Sequence, residues 1–230
     1  MENEKLPPCV IMAGGLGSRL GAITKKKPKP AIKIKGKPFI YYTIDWLIKN
    51  GFSEFIFLLS YKSKILEDLI LSYSKGMNIR CTFYLDEKRS GTFNAIYNIR
   101  NFLREDFFYT NADEISDVNI QSMYSKFLDE GLSVISLLKR DMNGYLNLEK
   151  GYIKEKLNSN HGTHIELGCK FVNKNIFEFV DAEYEKFEDF LYLDLINKTN
   201  IGYFISNTSP IRIDRAADIK STNEYLTNKQ

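Results

Sequence analysis

Short apolar runs alternate with amphipathic segments along the first part of the chain, and this alternation constrains the fold more than any other feature. The runs CVIM at 9–12 and EFIFLLS at 54–60 are of the type that predicts buried strands, and the first ends at a glycine-rich loop. Amphipathic helices are predicted over 39–49 and 64–74. Such alternation predicts an α/β fold with strands largely parallel and helices on both faces of the sheet.

The alternation continues through the middle of the chain and then changes character. It predicts, in order, strand 79–85, helix 92–103, strand 106–111, helix 120–130 and strand 132–138. After Asp141 it predicts a small hairpin within 143–156, strand 165–172, helices 176–180 and 186–197, strands 202–206 and 211–213, and helix 216–227. We therefore predict a Rossmann-like, mixed and mostly parallel sheet with helices on both faces and a small β insertion. Because 43% of the residues are hydrophobic and no repeat or linker is visible, one domain is expected over 1–230.

Positive charge is concentrated in one segment. Arg19 to Lys37 contains eight Lys or Arg residues and no acidic one, whereas the rest of the chain has 24 basic and 29 acidic residues. This pattern predicts a local anion site and argues against nucleic acid or a membrane as partner. The opening MENEKLPP is unlike a signal peptide, and the three cysteines lack zinc or disulfide spacing. We expect a cytoplasmic protein, and the sequence is compatible with a homo-oligomer.

The first predicted strand ends in the loop AGGLGSRL, Ala13 to Leu20. Its three glycines let backbone amides approach phosphate oxygens without an intervening Cβ, and Arg19 adds a planar cation suited to the same oxygens. Lys29 follows between two prolines that restrict the backbone, so its ammonium is presented from a stiff segment. The combination predicts a phosphate site, whereas a glycine-rich loop alone is equally compatible with a simple tight turn.

Two other predicted strand ends carry carboxylates. The strand at 106–111 runs towards Asp113 and Glu114, and the short strand at 211–213 is followed by Asp214. Mg²⁺ prefers carboxylate oxygens together with phosphates and water, so an aspartate from each strand end forms a candidate pair of metal ligands. Asp214 is also compatible with a role as N-cap of the helix that follows it.

The segments GGLGSRL, PKPAIKI and GKP resemble, in the same order, the signature of the NDP-sugar pyrophosphorylases, which are sugar-1-phosphate nucleotidyltransferases. The resemblance implies that Arg19, Lys29 and Asp113 are catalytic, with Lys29 neutralising charge in the transition state. It selects Asp113 over Glu114 and implies that Asp113 and Asp214 share the Mg²⁺. The residues implied to hold the nucleotide are Ala13, Gly14, Gly15, Gly17, Ser18, Arg19, Glu87, Gly91 and Thr92.

Later segments resemble the same family with departures. The turn DEKRSGT at 86–92 is similar to the family's turn near the nucleobase, and a capped helix start explains its last residues equally well. The residues implied to bind the second substrate are Asn111, Glu155, Lys156 and Gly168. The departures are Ser90, Phe93, Asn94, Ala112 and Leu157. Those at 93 and 94 predict a narrower substrate cavity. Ala112 is compatible with two outcomes, a harmless replacement or crowding of a nucleotide that passes close to the backbone.

The resemblance implies a Mg²⁺-dependent enzyme that joins a nucleoside monophosphate from an NTP to a sugar 1-phosphate and releases pyrophosphate, in nucleotide-sugar and polysaccharide biosynthesis. Short bacterial heptose-1-phosphate and mannose-1-phosphate guanylyltransferases are the most similar members, which favours GTP. Two alternatives stay open. One is a CTP-dependent cytidylyltransferase that acts on phosphocholine or another small phosphorylated alcohol. The other is a catalytically inactive subunit that binds nucleotide sugars and regulates an active paralogue.

Overall fold

A computed structural model describes residues 5–104 and 106–228, with side chains as far as residue 224. Its strands are β1 (Cys9–Met12), β2 (Lys33–Ile34), β3 (Lys37–Pro38), β4 (Glu54–Leu59), β5 (Arg80–Leu85), β6 (Phe107–Asn111), β7 (Glu114–Ile115), β8 (Val134–Gly144), β9 (Leu146–Glu149), β10 (Tyr152–Lys156), β11 (Gly162–Val172), β12 (Ile201–Ile205) and β13 (Ile211–Arg212). Its α-helices are α1 (Ala22–Lys26), α2 (Phe39–Lys49), α3 (Ser63–Ser74), α4 (Gly91–Tyr97), α5 (Ile120–Asp129), α6 (Phe187–Asp189) and α7 (Ala216–Asn228). Residues 1–4, which belong to the opening segment judged unlike a signal peptide, lie outside the described residues.

The chain forms two compact units, each assembled from separated stretches of sequence. The glycine-loop unit comprises Val10–Arg89, Asn111–Ile115 and Pro210–Gln230. The hairpin unit comprises Met1–Cys9, Ser90–Thr110 and Ser116–Ser209. Because both units are discontinuous in sequence, no linker-like segment marks a boundary between them. The single nucleotidyltransferase domain expected over 1–230 stays a prediction.

The glycine-loop unit has the strand order β5-β4-β1. β4 and β5 are parallel and in continuous register over six residue pairs, as expected of apolar strands connected through a helix. A buried cluster of Leu20, Ile32, Ile34, Phe39 and Ile213 lies in the same unit. It joins the segment that follows the proline-flanked lysine to the strand end that precedes Asp214. Burial of this apolar surface therefore fixes where both functional segments lie.

The hairpin unit has the strand order β6-β11-β8-β12-β10-β9. β12 is parallel to β8, whereas β11 runs antiparallel to β6 and β8, and β9 and β10 form an antiparallel hairpin. Aromatic side chains fill much of its interior, namely Phe93, Phe107, Phe108, Tyr109, Phe171, Phe187, Phe190 and Tyr192. Together with the helices, these strands confirm the predicted α/β fold with a mixed sheet and a β insertion.

Several elements have the predicted bounds or differ from them by one or two residues, and β1 and α2 agree at both ends. The two long strands β8 and β11 extend beyond the predicted 132–138 and 165–172. They pair with each other from Val134 opposite Val172 to Gly144 opposite Gly162. Because the two strands pair over this length, they include polar residues that a search for apolar runs does not assign to a strand.

Three predicted helices differ from the structure. The helix predicted over 176–180 is a 3₁₀ helix over Lys174–Phe179. The helix predicted over 92–103 ends at Tyr97, since the next residues form tight i→i+3 turns, among them Phe102 N to Ile99 O at 2.8 Å. Asparagine is a weak helix former, and Asn98 stands directly after the helix. The helix predicted over 186–197 is α6 followed by one π segment and one 3₁₀ turn. In the described parts of the chain, no helix combines the length and apolar character needed to cross a bilayer.

Candidate active site

The glycine loop follows β1 and is attached at its start to the end of β4. The Ala13 amide donates to the Leu58 carbonyl at 3.0 Å, and the Tyr61 amide donates to the Gly14 carbonyl at 3.5 Å. A Cβ on Gly14 would come within 2.8 Å of the Ser60 Cβ, so the close approach of the two backbones requires glycine. The loop is thus anchored to the carboxyl end of a buried strand, where ligands bind in open α/β sheets.

The middle of the loop carries exposed groups suited to phosphate. Gly17 has a φ of 63°, in the left-handed region that favours glycine, and a 3₁₀ turn over Ser18–Leu20 follows it. Leu20 is buried in the apolar cluster of this unit, whereas Ser18 and Arg19 are exposed. Backbone amides at such a turn and an exposed guanidinium suit phosphate oxygens. The nucleotide-binding role of the loop stays a prediction.

Lys29 is the centre of the site in the glycine-loop unit. Its ammonium makes an ion pair with the Asp113 carboxylate and a second one with Asp214 Oδ1 at 2.6 Å. Burial alone would lower the pKa of Lys29, but the charges of the two carboxylates and their hydrogen bonds outweigh it and raise that pKa above its ordinary value. Lys29 therefore stays protonated at neutral pH. The prediction that this lysine is held in a fixed position agrees with the geometry.

Asp214 is held by contacts that free its carboxylate for Lys29. Its amide and that of Arg215 both donate to Asp218 Oδ2 at 2.7 Å, so Asp218 satisfies the backbone at the start of α7. Burial would raise the pKa of Asp214, but the Lys29 hydrogen bond and the positive charges of Lys29 and Arg212 hold it below its ordinary value. The N-cap alternative for Asp214 is therefore wrong.

Asp113 and its neighbours occupy three different environments. The Asp113 side chain is 21% exposed and faces Lys29, whereas the Glu114 residue is buried, as expected of consecutive residues with opposite side-chain directions. Ala112 is fully buried, and its carbonyl accepts a hydrogen bond from Thr43 Oγ1 at 3.0 Å. The methyl group of Ala112 is packed inside the unit, which explains why alanine is accommodated there.

Gly91 and Thr92 begin α4 in the hairpin unit and pack against the segment that leads into α6. Gly91 has a φ of 91°, and a Cβ there would overlap the carbonyl oxygen of Glu185. The same carbonyl accepts a hydrogen bond from the Phe93 amide at 3.2 Å, and Thr92 Oγ1 accepts one from the Phe187 amide at 2.9 Å. These contacts give the glycine-threonine turn a structural role in addition to the predicted contact with the nucleotide.

The departures at the start of α4 are explained by packing. The Phe93 ring is 2% exposed, with its centroid 5.0 Å from that of Tyr184 and 5.2 Å from that of Phe190. Asn94 Nδ2 donates to the Ser90 carbonyl at 2.7 Å, and Ser90 makes no side-chain capping bond. Phe93 thus fills the aromatic interior of the hairpin unit.

Substitution of Gly91 tests this close packing. Gly91→Ala is expected to lower the free energy of unfolding by about 2–3 kcal/mol, since the new Cβ meets the Glu185 carbonyl and the backbone is strained. Gly151→Ala is the matched control, because Gly151 has the same φ of 91° but nothing within 4 Å of its added Cβ. We expect about 1 kcal/mol there. Urea unfolding measures both, and equal losses would contradict the packing account.

Lys156, predicted to bind the second substrate, ends the hairpin strand β10. Its ammonium lies 2.5 Å from Asp189 Oδ1, and the two side chains are 20% and 30% exposed. Glu155 has a different environment, since it is exposed and its Oε1 accepts a hydrogen bond from Asn147 Nδ2 at 2.8 Å. In the structure, Lys156 therefore pairs with Asp189, a residue that the sequence analysis did not identify. Glu155 pairs with Asn147 instead. No local pattern marks Asp189, which is 33 residues from its partner.

The remaining predicted residues lie at turns or within strands. Glu87 is exposed in the turn after β5, Asn111 is partly buried at the end of β6, and Gly168 is buried in β11 with a φ of 72°. The binding roles of these three residues stay predictions, because their positions alone do not define a contact with a ligand.

A buried charge network in the hairpin unit was not predicted. The Lys170 side chain is fully buried, with its Nζ 3.0 Å from Glu166 Oε1 and 3.2 Å from Glu188 Oε1. It also lies 4.3 Å from the ring centroid of Tyr109. Burial would lower the pKa of Lys170, but the two carboxylates outweigh it and raise the pKa well above its ordinary value. The signal in the sequence was the pair Glu166 and Lys170, two like-facing positions of an otherwise apolar strand.

The structure is that of an α/β protein with a glycine loop at a strand end and a lysine and two carboxylates in the same unit, an arrangement suited to phosphate. Comparison with known families gives a more specific assignment. Residues 9–166 match the family described as nucleotidyl transferase, and the chain belongs to that family.

Individual relatives are similar over most of their lengths. The D-glycero-alpha-D-manno-heptose 1-phosphate guanylyltransferase of Campylobacter jejuni is 28% identical over 187 residues, covering 79% of this chain and 83% of that protein. The enzyme of the same name from Aneurinibacillus thermoaerophilus is 29% identical over 234 residues, covering 94% and 97%. Among solved structures, HddC from Yersinia pseudotuberculosis superposes with a TM-score of 0.78 at 26% identity, covering 96% of this chain and all of that one.

Proposed function

We propose that the protein transfers a nucleoside monophosphate from an NTP to a sugar 1-phosphate and releases pyrophosphate, with GTP as the favoured NTP. The observation that carries the proposal is the cluster of Lys29, Asp113 and Asp214 in the unit that holds the glycine loop. A cation held by two carboxylates next to a phosphate-binding loop is suited to charge neutralisation in phosphoryl transfer. The two guanylyltransferase relatives support the choice of a sugar 1-phosphate and of guanine.

The proposed reaction needs no nucleophile from the protein. An oxygen of the sugar phosphate forms a bond to the α-phosphorus of the NTP, while the bond from that phosphorus to the bridging oxygen of pyrophosphate breaks. A phosphate monoester is largely ionised at neutral pH, so no general base is required. Amides of the glycine loop and Arg19 would bind the NTP phosphates, and Lys29 would neutralise the charge that develops on them. Lys156 would bind the phosphate of the sugar 1-phosphate.

Mg²⁺ is the cofactor that fits the carboxylate pair. Asp113 and Asp214 converge on one ammonium, so this is a place where the protein already accepts a positive charge. Their carboxylate oxygens suit Mg²⁺, which usually completes its coordination with substrate phosphates and water. When bound, Mg²⁺ would supply positive charge and orientation to the NTP phosphates. Lys29 and Mg²⁺ would pair with the same two carboxylates. We therefore expect the Lys29 ammonium to turn towards a nucleotide phosphate when Mg²⁺ and the nucleotide are bound.

A panel of substrates tests the proposal. The purified protein is incubated with Mg²⁺, each NTP in turn, and a pool of sugar 1-phosphates together with phosphocholine, and pyrophosphate release is followed. We expect release with GTP and a sugar 1-phosphate, and no release by Asp113→Asn. Release with CTP and phosphocholine alone would establish the cytidylyltransferase alternative. Nucleotide binding without release in any well would favour the inactive regulatory subunit.

We also propose that the protein is cytoplasmic, on the basis of its cysteines. Cys9, Cys81 and Cys169 are all free thiols. Reduced cysteines of this kind are the expectation for a cytoplasmic protein.

Substitution of Lys156 separates the two proposed substrates. Lys156→Met is expected to raise the KM for the sugar 1-phosphate about 10- to 100-fold, because a charge-assisted contact with the phosphate is lost, while the KM for the NTP stays within twofold. Lys154→Met is the matched control, since Lys154 is an exposed lysine of the same strand. Steady-state kinetics with each substrate varied measures both. Equal increases for the NTP and the sugar phosphate would exclude a role specific to the second substrate.

A further inference from the structure

A chain of hydrogen bonds runs from Tyr61 to the middle of the glycine loop. The Tyr61 hydroxyl lies 3.0 Å from the Thr24 carbonyl, to which it donates. Thr24 is 4% exposed, and its own hydroxyl donates to the Gly17 carbonyl at 3.0 Å. All of these groups belong to the glycine-loop unit. The Tyr61 side chain, which follows β4, is thereby connected through the backbone carbonyl and the hydroxyl of Thr24 to Gly17, the only left-handed glycine of the segment 13–20.

The same two residues fix the carbonyls of the loop. The Gly17 carbonyl accepts from Thr24 Oγ1 and from the Leu20 amide at 2.9 Å, and the Gly14 carbonyl accepts from the Tyr61 amide. A trans peptide directs its N–H opposite to its C=O. Holding the carbonyls of residues 14 and 17 therefore sets the directions of the amides of residues 15 and 18, which are the groups expected to bind phosphate.

Packing reinforces these hydrogen bonds. A Cβ on Gly17 would come within 2.9 Å of the Thr24 methyl carbon and 3.2 Å of the Lys29 Cβ, so both side chains lie against the bare Cα of the loop. Thr24 thus contacts the loop through its hydroxyl and its methyl group. The proposed catalytic lysine lies against the same glycine.

Tyr61 is itself held by contacts to its ring. The Arg89 guanidinium carbon lies 5.3 Å from the ring centroid and Lys62 Nζ lies 5.4 Å from it, distances at which cations are attracted to an aromatic face. Arg89 and Lys62 both have positive φ values, of 52° and 53°. The cations over its ring and the hydrogen bond of its amide restrain Tyr61. Its hydroxyl is therefore held where it can position the loop.

We infer that Tyr61 and Thr24 are positioning residues that hold the glycine loop in its phosphate-binding shape. Neither is proposed to touch the reacting atoms, and the inference rests on the proposed function for its phosphate ligand. The prearranged amides then bind a polyphosphate without having to reorder the loop, which is the usual source of affinity in such sites. Loss of either hydroxyl is expected to weaken polyphosphate binding while the fold is retained.

The test uses Tyr61→Phe, Thr24→Val and the double variant of the full chain, with inorganic tripolyphosphate as the probe. Isothermal titration measures its dissociation constant. Each single variant is expected to bind about 3- to 10-fold more weakly, the range for one lost hydrogen bond. The double variant is expected to match the weaker single one, since both changes break one relay. Thr24→Ser keeps the hydroxyl and is expected to bind within twofold of the wild-type protein.

Tyr73→Phe is the matched control, because the Tyr73 hydroxyl donates to Asp45 Oδ1 at 2.6 Å in the same unit but on an exposed helix surface. It is expected to leave tripolyphosphate binding unchanged, and all variants are expected to unfold within a few degrees of the wild-type protein. Unchanged binding by Tyr61→Phe and Thr24→Val, full additivity in the double variant, or equal loss in Tyr73→Phe would overturn the inference. So would wild-type protein that binds no tripolyphosphate.

The outcome is separable from that of the proposed function. Protein that binds tripolyphosphate in the predicted variant-dependent way, but releases no pyrophosphate from any NTP, supports the positioning role and contradicts the proposed reaction. Active wild-type protein whose Tyr61 and Thr24 variants bind normally supports the reaction and overturns the positioning role.

Discussion

Lys29→Met is expected to lower kcat/KM about 100- to 1,000-fold, the loss typical of removing one group that stabilises developing charge. Methionine has a similar length and no charge, so the substitution removes the ammonium from its place between Asp113 and Asp214. Steady-state pyrophosphate release at saturating Mg²⁺ measures the effect. Lys33→Met is the control, because Lys33 is an exposed lysine of the same basic segment, and it is expected to retain activity within twofold.

A second readout of Lys29→Met does not depend on turnover. Without the ammonium, the two carboxylates repel each other unless another cation lies between them. Addition of Mg²⁺ in the absence of nucleotide should therefore raise the melting temperature of Lys29→Met by more than it raises that of the wild-type protein. Equal shifts in the two proteins, or wild-type activity in the variant, would contradict the central position given to Lys29.

Asp113→Asn is expected to lower kcat/KM at least about 100-fold, because one of the two carboxylates proposed to hold Mg²⁺ loses its charge. The amide also weakens the ion pair with Lys29. Activity is measured by pyrophosphate release, and affinity for Mn²⁺ by electron paramagnetic resonance. We expect weaker Mn²⁺ binding in the presence of NTP and a loss of activity that excess Mg²⁺ recovers only in part.

The control for Asp113→Asn is Asp68→Asn. Asp68 is 61% exposed on α3, where it pairs with Lys64 at 2.9 Å, and its substitution is expected to leave activity and Mn²⁺ binding within twofold of the wild-type values. If Asp113→Asn bound Mn²⁺ as the wild-type protein does and kept its activity, Asp113 would not be a metal ligand.

The parts of the fold that local pattern determines were predictable from the sequence. β1 is a continuous apolar run that ends at glycines, and α2 follows a proline with an apolar face, so both have the predicted bounds. Lys29 stood out because two prolines flank it. The Lys29–Asp214 contact spans 185 residues and was not predicted, since the family resemblance implied a catalytic role for Lys29 and a metal-ligand role for Asp214 without pairing them.

The parts that depend on long-range packing were not predictable. Asp189 reaches Lys156 only because α6 lies next to the hairpin strand, and Tyr61 reaches Thr24 only because β4 ends beside the loop. Likewise, α4 is shorter than predicted because tight turns follow Tyr97. The spacing of apolar residues does not distinguish such turns from a continuing helix. Hydrogen bonds between distant segments leave no periodic signal in the sequence.

The most direct test of the proposed reaction follows the α-phosphorus itself. The protein is incubated with Mg²⁺, a pool of sugar 1-phosphates and each NTP labelled with ³²P at the α position, and the products are separated by chromatography. We predict that the label from GTP moves into a nucleotide diphosphate sugar while unlabelled pyrophosphate accumulates. Label recovered only as unreacted NTP, or as free nucleoside mono- or diphosphate, would contradict the account.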